Sequence, residues 1–257
     1  MSKKVLILVS EWGYWGEELV GPVDVFNERN YQFTFATPTG RRPMAVPVSK
    51  DASYIDPPLG RTVTSKDMAK KVEEVDDPST EKGRKLSSPL NIEELMPARP
   101  YWSDPDFLKS MEKYNHLLKK SESELSGFDA LLIVGGNGPI VDLANNLRVH
   151  DIDLTFYKLG KPIASECYGT TCLVFARDIN SRKSILNGKR VTGHPIEYDY
   201  HAGYSFTDPN TNESVTFGAV PYPLEYLLRD AVGTDGEFIG NFGKDTSVVV
   251  DYPFLTG

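Results

Sequence analysis

The residues best equipped for chemistry in this 257-residue chain lie in Ser165-Glu166-Cys167-Tyr168-Gly169, a small-x-nucleophile-x-small pattern. The mostly apolar run 162–165 before it suits a buried strand, and 172–176 after it can begin an apolar helix face. A strand-to-helix elbow needs a small residue two places beyond the nucleophile, because the chain turns sharply and the helix packs close on the sheet. In such a turn Cys167 is expected to feel a helix N-terminus, whose dipole and free N–H groups favour thiolate over thiol. The plainer alternative is a small buried hydrophobe, as most free cysteines are.

Other groups can serve that sulfur. In parallel α/β sheets ligands bind beyond the carboxyl ends of the strands. Glu17 or Glu18, after the apolar run 5–9, falls on that rim, as does Gly135-Gly136-Asn137-Gly138-Pro139 after the run 128–134. A glycine-rich loop there exposes backbone N–H groups that can cradle an oxyanion; it can equally be a tight turn into a helix at 140–145. It is neither GxGxxG nor a P-loop, so a nucleotide site is not expected. His194 is the histidine placed to reach this rim, whereas His116 and His150 read as surface residues.

The elements that must position these groups follow a βα rhythm. The run 5–9 is apolar throughout, as in a central strand buried on both faces. A helix over 17–29 and an alternating strand over 31–37 complete a βαβ start, which points to a parallel sheet with helices on both faces. Residues 41–125 break the rhythm with many prolines and are expected to form an insertion over the active-site side of one domain spanning 1–257. It should hold a helix over 65–75 and another over 105–120 capped by Ser103. Just before the second, Tyr101 and Trp102 are expected to wall the Cys167 pocket, since exposed aromatic pairs need a reason. Beyond the elbow, 184–192 reads as a hairpin turning at Asn187-Gly188. An amphipathic helix over 222–231 and a last apolar strand over 247–250 follow.

Totals narrow the function classes. Acidic residues outnumber basic ones 36 to 28, for a net charge of −8, which argues against nucleic acid or an anionic membrane as the main partner. Cys167 and Cys172 are the only cysteines, too close along an elbow and helix start for disulfide geometry, so a reducing compartment is expected. The N-terminal apolar run is too short for a signal peptide, and none approaches the ~20 residues of a membrane span. A cytoplasmic enzyme or binding protein with a small-molecule partner is the expectation.

Four stretches carry a more specific resemblance. Glu18-Leu19-Val20-Gly21-Pro22, FDALLIVGGNGPIVDL at 128–143, GKPIASECYG at 160–169 and NGKRVTGHP at 187–195 resemble the ThiJ/PfpI superfamily of class I glutamine amidotransferase-like proteins, nearest its larger heat-shock chaperone/glyoxalase III branch. The resemblance implies a flavodoxin-like, doubly wound and mainly parallel sheet sandwiched by helices. It implies that Cys167 is the reactive thiolate, that Glu18 instead of Glu17 hydrogen-bonds it, and that N–H groups near Gly136 and Tyr168 form an oxyanion site with Gly135 and Asn137. It implies no cofactor, and a homodimer among the expected assemblies. Tyr168 stands where that branch carries histidine, so no side-by-side Cys-His dyad exists. His194 matches a position where smaller members hold histidine near the cysteine; it is either the replacement partner or a structural histidine. Glu166 is also unusual and, facing inward, must be paired or protonated. His194, Glu197, Asp199 and His201 cluster without helical H-E-x-x-H spacing, so no metal site is expected.

By resemblance the leading reaction is glyoxalase III-type conversion of methylglyoxal to lactate, or another cysteine-dependent reaction of a small carbonyl. Isonitrile hydration needs the same nucleophile and carboxylate. Amide hydrolysis is disfavoured because no His–acid pair is visible. A stress chaperone or redox sensor with an oxidisable cysteine is the non-enzymatic alternative.

Overall fold

A computed structural model describes residues 2–199, 204–207, 211–217, 223–240 and 247–257. Its centre is a seven-stranded sheet. In chain order the strands are β1 (Lys4–Leu8), β2 (Gln32–Thr37), β3 (Leu90–Asn91), β4 (Ala130–Ile133), β5 (Ile163–Ser165), β6 (Val249–Asp251) and β7 (Phe254–Thr256), with spatial order β6-β7-β5-β4-β1-β2-β3. All pairs are parallel except β6 with β7. The fold is therefore the expected α/β, flavodoxin-like arrangement.

Alternation along the central strands explains the two-sided core. Leu6, Leu8, Leu131 and Ile133 face one side, while Val5, Ile7, Val9, Leu132 and Val134 face the other. The second side is covered by α1 (Gly16–Glu28) through Leu19, Val20 and Val23, and by α2 (Lys66–Asp76) through Val72 and Val75. The first is covered by α3 (Phe107–Leu125), α4 (Leu147–Lys158), the short α5 (Thr171–Phe175) and α6 (Leu224–Val232). Leu6, Ile7 and Leu8 have no exposed surface, and full burial of such side chains stabilises by about 1.5–3 kcal/mol each.

Residues 41–125 divide between the two faces. Within them α2 packs on α1, α3 packs on α4, β3 extends the sheet edge, and Val63 reaches the Cys167 cavity. Ser65 caps α2 by accepting from the Met68 N–H at 3.1 Å. Ser103 does not cap α3, which starts at Phe107; instead Asp104 accepts from the Asp106 N–H at 2.8 Å and from the Ser110 hydroxyl at 2.7 Å. The hairpin read at 184–192 is also absent. Arg190–Val191 pairs parallel with Glu237–Phe238, and Asn187-Gly188 form a turn held by the Val232 carbonyl, because α6 supplies acceptors that a local partner strand would otherwise give. His150 corrects another expectation. It lies buried on α4, with Nε2 2.7 Å from the Ala144 carbonyl. The start of the helix read at 222 and His201 lie outside the described residues. Among the described residues no helix is long and apolar enough to cross a membrane.

Candidate active site

Strand β5 ends at Ser165 and the chain turns through a 3-10 turn, Cys167–Thr170, into α5. Cys167 itself has φ +49°, a left-handed conformation that costs a non-glycine residue about 1–3 kcal/mol. Neighbouring bonds hold it there. The Glu166 N–H donates to Ile133 O at 3.2 Å, the Gly169 N–H to Glu166 O at 2.8 Å, and the Cys167 N–H to Gly257 O at 2.9 Å. Gly169 is required by packing, since a Cβ there would lie 2.8 Å from Ile133 O and 3.0 Å from Val134 O.

Glu18 arrives on the first turn of α1. Its carboxyl group lies beside the Cys167 thiol and the Gly135 N–H, while its Oε2 is buried without a hydrogen-bond partner. The glycine loop makes this approach feasible. A Cβ on Gly135 would collide with Glu18 Oε2 and sit 2.7 Å from Cys167 Cβ, and Gly136, at φ +91°, would place one 2.8 Å from Tyr14 C. The N–H groups of Gly136 and Tyr168 point at the Cys167 sulfur. Asn137 is not part of the cavity wall; its carbonyl accepts from the Ile140 N–H at 3.4 Å.

His194 also reaches the sulfur, with Nδ1 3.5 Å from Sγ. The Thr192 N–H donates to Thr256 Oγ1 at 2.8 Å, and Gly193 lets the chain pass between α6 and the elbow, where a Cβ would press within 3.1 Å of Leu228. Behind the ring, Nε2 lies 3.3 Å from Asp199 Oδ1, within ion-pair distance but not aligned as a hydrogen bond. The fully buried Tyr168 stacks on the ring with centroids 4.1 Å apart, and its hydroxyl donates to the same Asp199 oxygen. Tyr168 thus buttresses the histidine with its side chain and faces the sulfur with its backbone.

Charge in the site departs from expectation. Burial, and then the Glu18 carboxylate, push the Cys167 thiol well above its ordinary range, outweighing the Gly136 and Tyr168 N–H groups. The helix N-terminus expected to favour the thiolate is not at the sulfur, since α5 begins only at Thr171, and burial beside Glu18 works against the charged form. Glu18 is itself raised well above the usual carboxylate range by burial and by Glu166. Glu166 is pushed up to about 7 by burial and by Glu17. Burial and mutual repulsion thus disfavour the charged forms of Cys167 and Glu18 together, and His194 Nδ1 lies within hydrogen-bond reach of the sulfur.

A cavity of about 830 Å³ opens over the sulfur, bounded by Trp15, Glu17, Glu166, His194 and Tyr198 among others. Trp102, expected in this wall, is elsewhere. With Tyr101 it is more than four-fifths exposed (83% and 82%) and lines a separate groove of about 510 Å³ with Arg99, Phe107 and Arg177. The segment before α3 runs along α4, on the other face of the sheet from α1. Trp15 supplies the aromatic wall instead. Sequence reading missed Trp15, Tyr198 and the pairing of Asp199. The only signal for Asp199 was its place in the His194, Glu197, Asp199, His201 cluster, where a 3-10 turn (Ile196–Tyr198) brings it back to the ring. Among the described residues no three His, Cys, Asp or Glu groups are placed to hold a metal.

Residues 9–187 match the family described as ThiJ/PfpI family-like. Solved structures similar in fold include Rapid Encystment Protein 24 kDa of Francisella tularensis, at 18% identity and TM-score 0.62 over 99% of this chain and 91% of that one. Glyoxalase III of Candida albicans matches at 16% identity and TM-score 0.53 over 99% of this chain and 90% of that one. A ThiJ/PfpI domain protein of Brachyspira murdochii matches at 14% and 0.50 over 99% and 86%. These identities speak for the fold alone. No curated protein matches the chain by sequence.

Proposed function

Since this chain belongs to the ThiJ/PfpI family, we propose that it is a cysteine-dependent enzyme in which Cys167 attacks a small carbonyl compound or related electrophile. The observation that carries this reading is that Cys167 Sγ lies 3.5 Å from a histidine nitrogen and beside the Glu18 carboxyl group, all three on one cavity. For a 2-oxoaldehyde, His194 Nδ1 takes the thiol proton as Sγ bonds to the aldehyde carbon, and Glu18 gives its proton to the forming alkoxide. Glu18, now a carboxylate, moves the proton from that carbon to the neighbouring one. The hydroxyl on the first carbon then returns its proton to Glu18 as it becomes the thioester carbonyl, and His194 gives the former thiol proton to the neighbouring oxygen. The thioester that results is hydrolysed by water to a 2-hydroxy acid, which frees the thiol. One water is added overall, as in methylglyoxal to lactate. General acid–base help of this kind contributes typically 10²–10⁴-fold.

A second reading rests on Asp199. A His–acid pair behind a cysteine also suits hydrolysis of amides or other acyl compounds, in which the histidine must protonate a leaving group. Wild type, Cys167→Ser, Glu18→Gln and Asp199→Asn are to be assayed for lactate from methylglyoxal, formamides from isonitriles and ammonia from small amides. Cys167→Ser should abolish turnover, and Glu18→Gln should lower carbonyl turnover by roughly 10²–10⁴-fold. Loss in Asp199→Asn with little change in Glu18→Gln would favour the acyl reading. Full turnover by Cys167→Ser overturns both. A wild type inert on every substrate but rapidly oxidised at Cys167 by peroxide would mark a redox sensor.

A further inference from the structure

The carboxylates around the sulfur outnumber what proton transfer needs. Glu17, Glu18 and Glu166 all line the Cys167 cavity, and none of its described lining residues is lysine or arginine. Elsewhere three buried carboxylates are met by arginine, Glu11 by Arg41 at 2.7 Å, Asp151 by Arg99, and Glu225 by Arg229 at 2.7 Å. The buried Asp142 and Asp153 have no such partner among the described residues, but they do not line this cavity. Among the described residues Glu17 and Glu166 have neither an ion pair nor a hydrogen bond through their side chains. They act on each other and on Glu18 only by repulsion. In addition, Glu18 Oε2 is buried and unpartnered. A positive group entering the cavity would relieve this repulsion, whereas an anion would add to it. Trp15 adds an aromatic wall that can accept an organic cation. A metal ion fits less well, because the described groups do not converge as a ligand set.

We propose that Glu17 and Glu166 form a cation subsite beside Cys167, and that the substrate is a small carbonyl compound bearing an ammonium or guanidinium group. Oxo-acids and phosphorylated carbonyls are then excluded by charge. The inference rests on the reading of Cys167 as the nucleophile, but its test does not need turnover. Three methanethiosulfonates differing in charge — trimethylammonioethyl, methyl and sulfonatoethyl — report the potential at the sulfur. Their rates at Cys167, followed by peptide mass and divided by their rates with 2-mercaptoethanol, should favour the cation over the anion by roughly 10- to 10³-fold. In Glu17→Gln/Glu166→Gln that preference should collapse to near unity, and an unchanged rate with the neutral reagent reports a folded pocket. Calorimetry supplies the second arm: n-butylammonium should bind wild type, butyrate should not, and the double variant should lose the binding. A charge ratio near one in wild type, a ratio kept in the double variant, or absent butylammonium binding overturns the subsite. Magnesium or manganese binding lost in the same variant, without butylammonium binding, would make it a metal site instead. If no reagent reaches Cys167, the nucleophile reading fails, and butylammonium binding alone decides the subsite.

Discussion

At the residue scale, burial opposes the charged form of the proposed nucleophile. The Cys167 thiol is raised by burial and by Glu18, so its alkylation rate should still be climbing at pH ~9, above the ordinary thiol value of ~8.5. Glu18→Gln removes the neighbour that can take on a second negative charge beside the thiolate as pH rises. Cys167 should then titrate lower, and iodoacetamide should label it faster at pH 8, about tenfold for each unit of the drop. The same substitution should slow turnover, because glutamine cannot exchange a proton. Faster labelling with slower turnover separates thiolate formation from proton shuttling. An alkylation profile already flat by pH ~7 would show that the thiolate is the resting form and that Glu18 does not restrain it. Stopped-flow labelling between pH 6 and 10 checks this.

Among the elements, α1 carries Glu18 and its position is set by a close approach to α2. A Cβ on Gly16 would lie 2.6 Å from Val72 Cγ2 and 3.0 Å from Val72 Cβ. Gly16→Ala should lower stability by about 1–3 kcal/mol through overpacking, and Val72→Ala in the same chain should restore part of that loss. Thermal denaturation of the single and double variants measures it; additive losses would mean the contact does not set the helix position. Much of this architecture was legible beforehand. The apolar run 5–9, the glycine run after 134 and the spacing around Cys167 each have a local cause that sequence displays. What could not be read depends on neighbours distant in the chain. His150 looked polar and exposed, yet α4 buries it against Ala144. Asn187-Gly188 carries a hairpin signal, but the Val232 carbonyl captures the turn. Trp102 looked like a pocket wall because nothing local says which face of the sheet its segment crosses. Asp199 meets His194 where Tyr168 stacks on the ring and binds the same carboxylate oxygen. The elbow's shape was readable and its charge was not, since burial is a property of the whole fold.

The whole molecule should be most stable on the acid side of neutrality. Burial pushes Asp142 up to about 7, and burial with Glu17 does the same to Glu166. Both values exceed those of an unfolded carboxyl, so between pH ~4.5 and ~7 the native state binds more protons than the unfolded chain. Stability from these groups is fully present below the unfolded value and is lost as pH rises through ~7. Asp153, buried with both oxygens unpartnered and raised well above the usual range, extends the trend upward. Urea midpoints should therefore fall from pH 5 to pH 8, and Asp142→Asn should flatten the slope; a midpoint rising over that range would contradict the argument. The closing strand β7 bears on a different matter, the timing of synthesis. The Cys167 N–H is held by the Gly257 carbonyl and Thr192 by the Thr256 side chain, so segments far apart in the gene must meet before the sulfur has its partners. On the ribosome, Cys167, Glu18 and His194 all emerge before β7. A nascent chain thus holds its thiol in an unfinished turn, and the elbow gains its last backbone partner only when β7 joins the sheet beside β5.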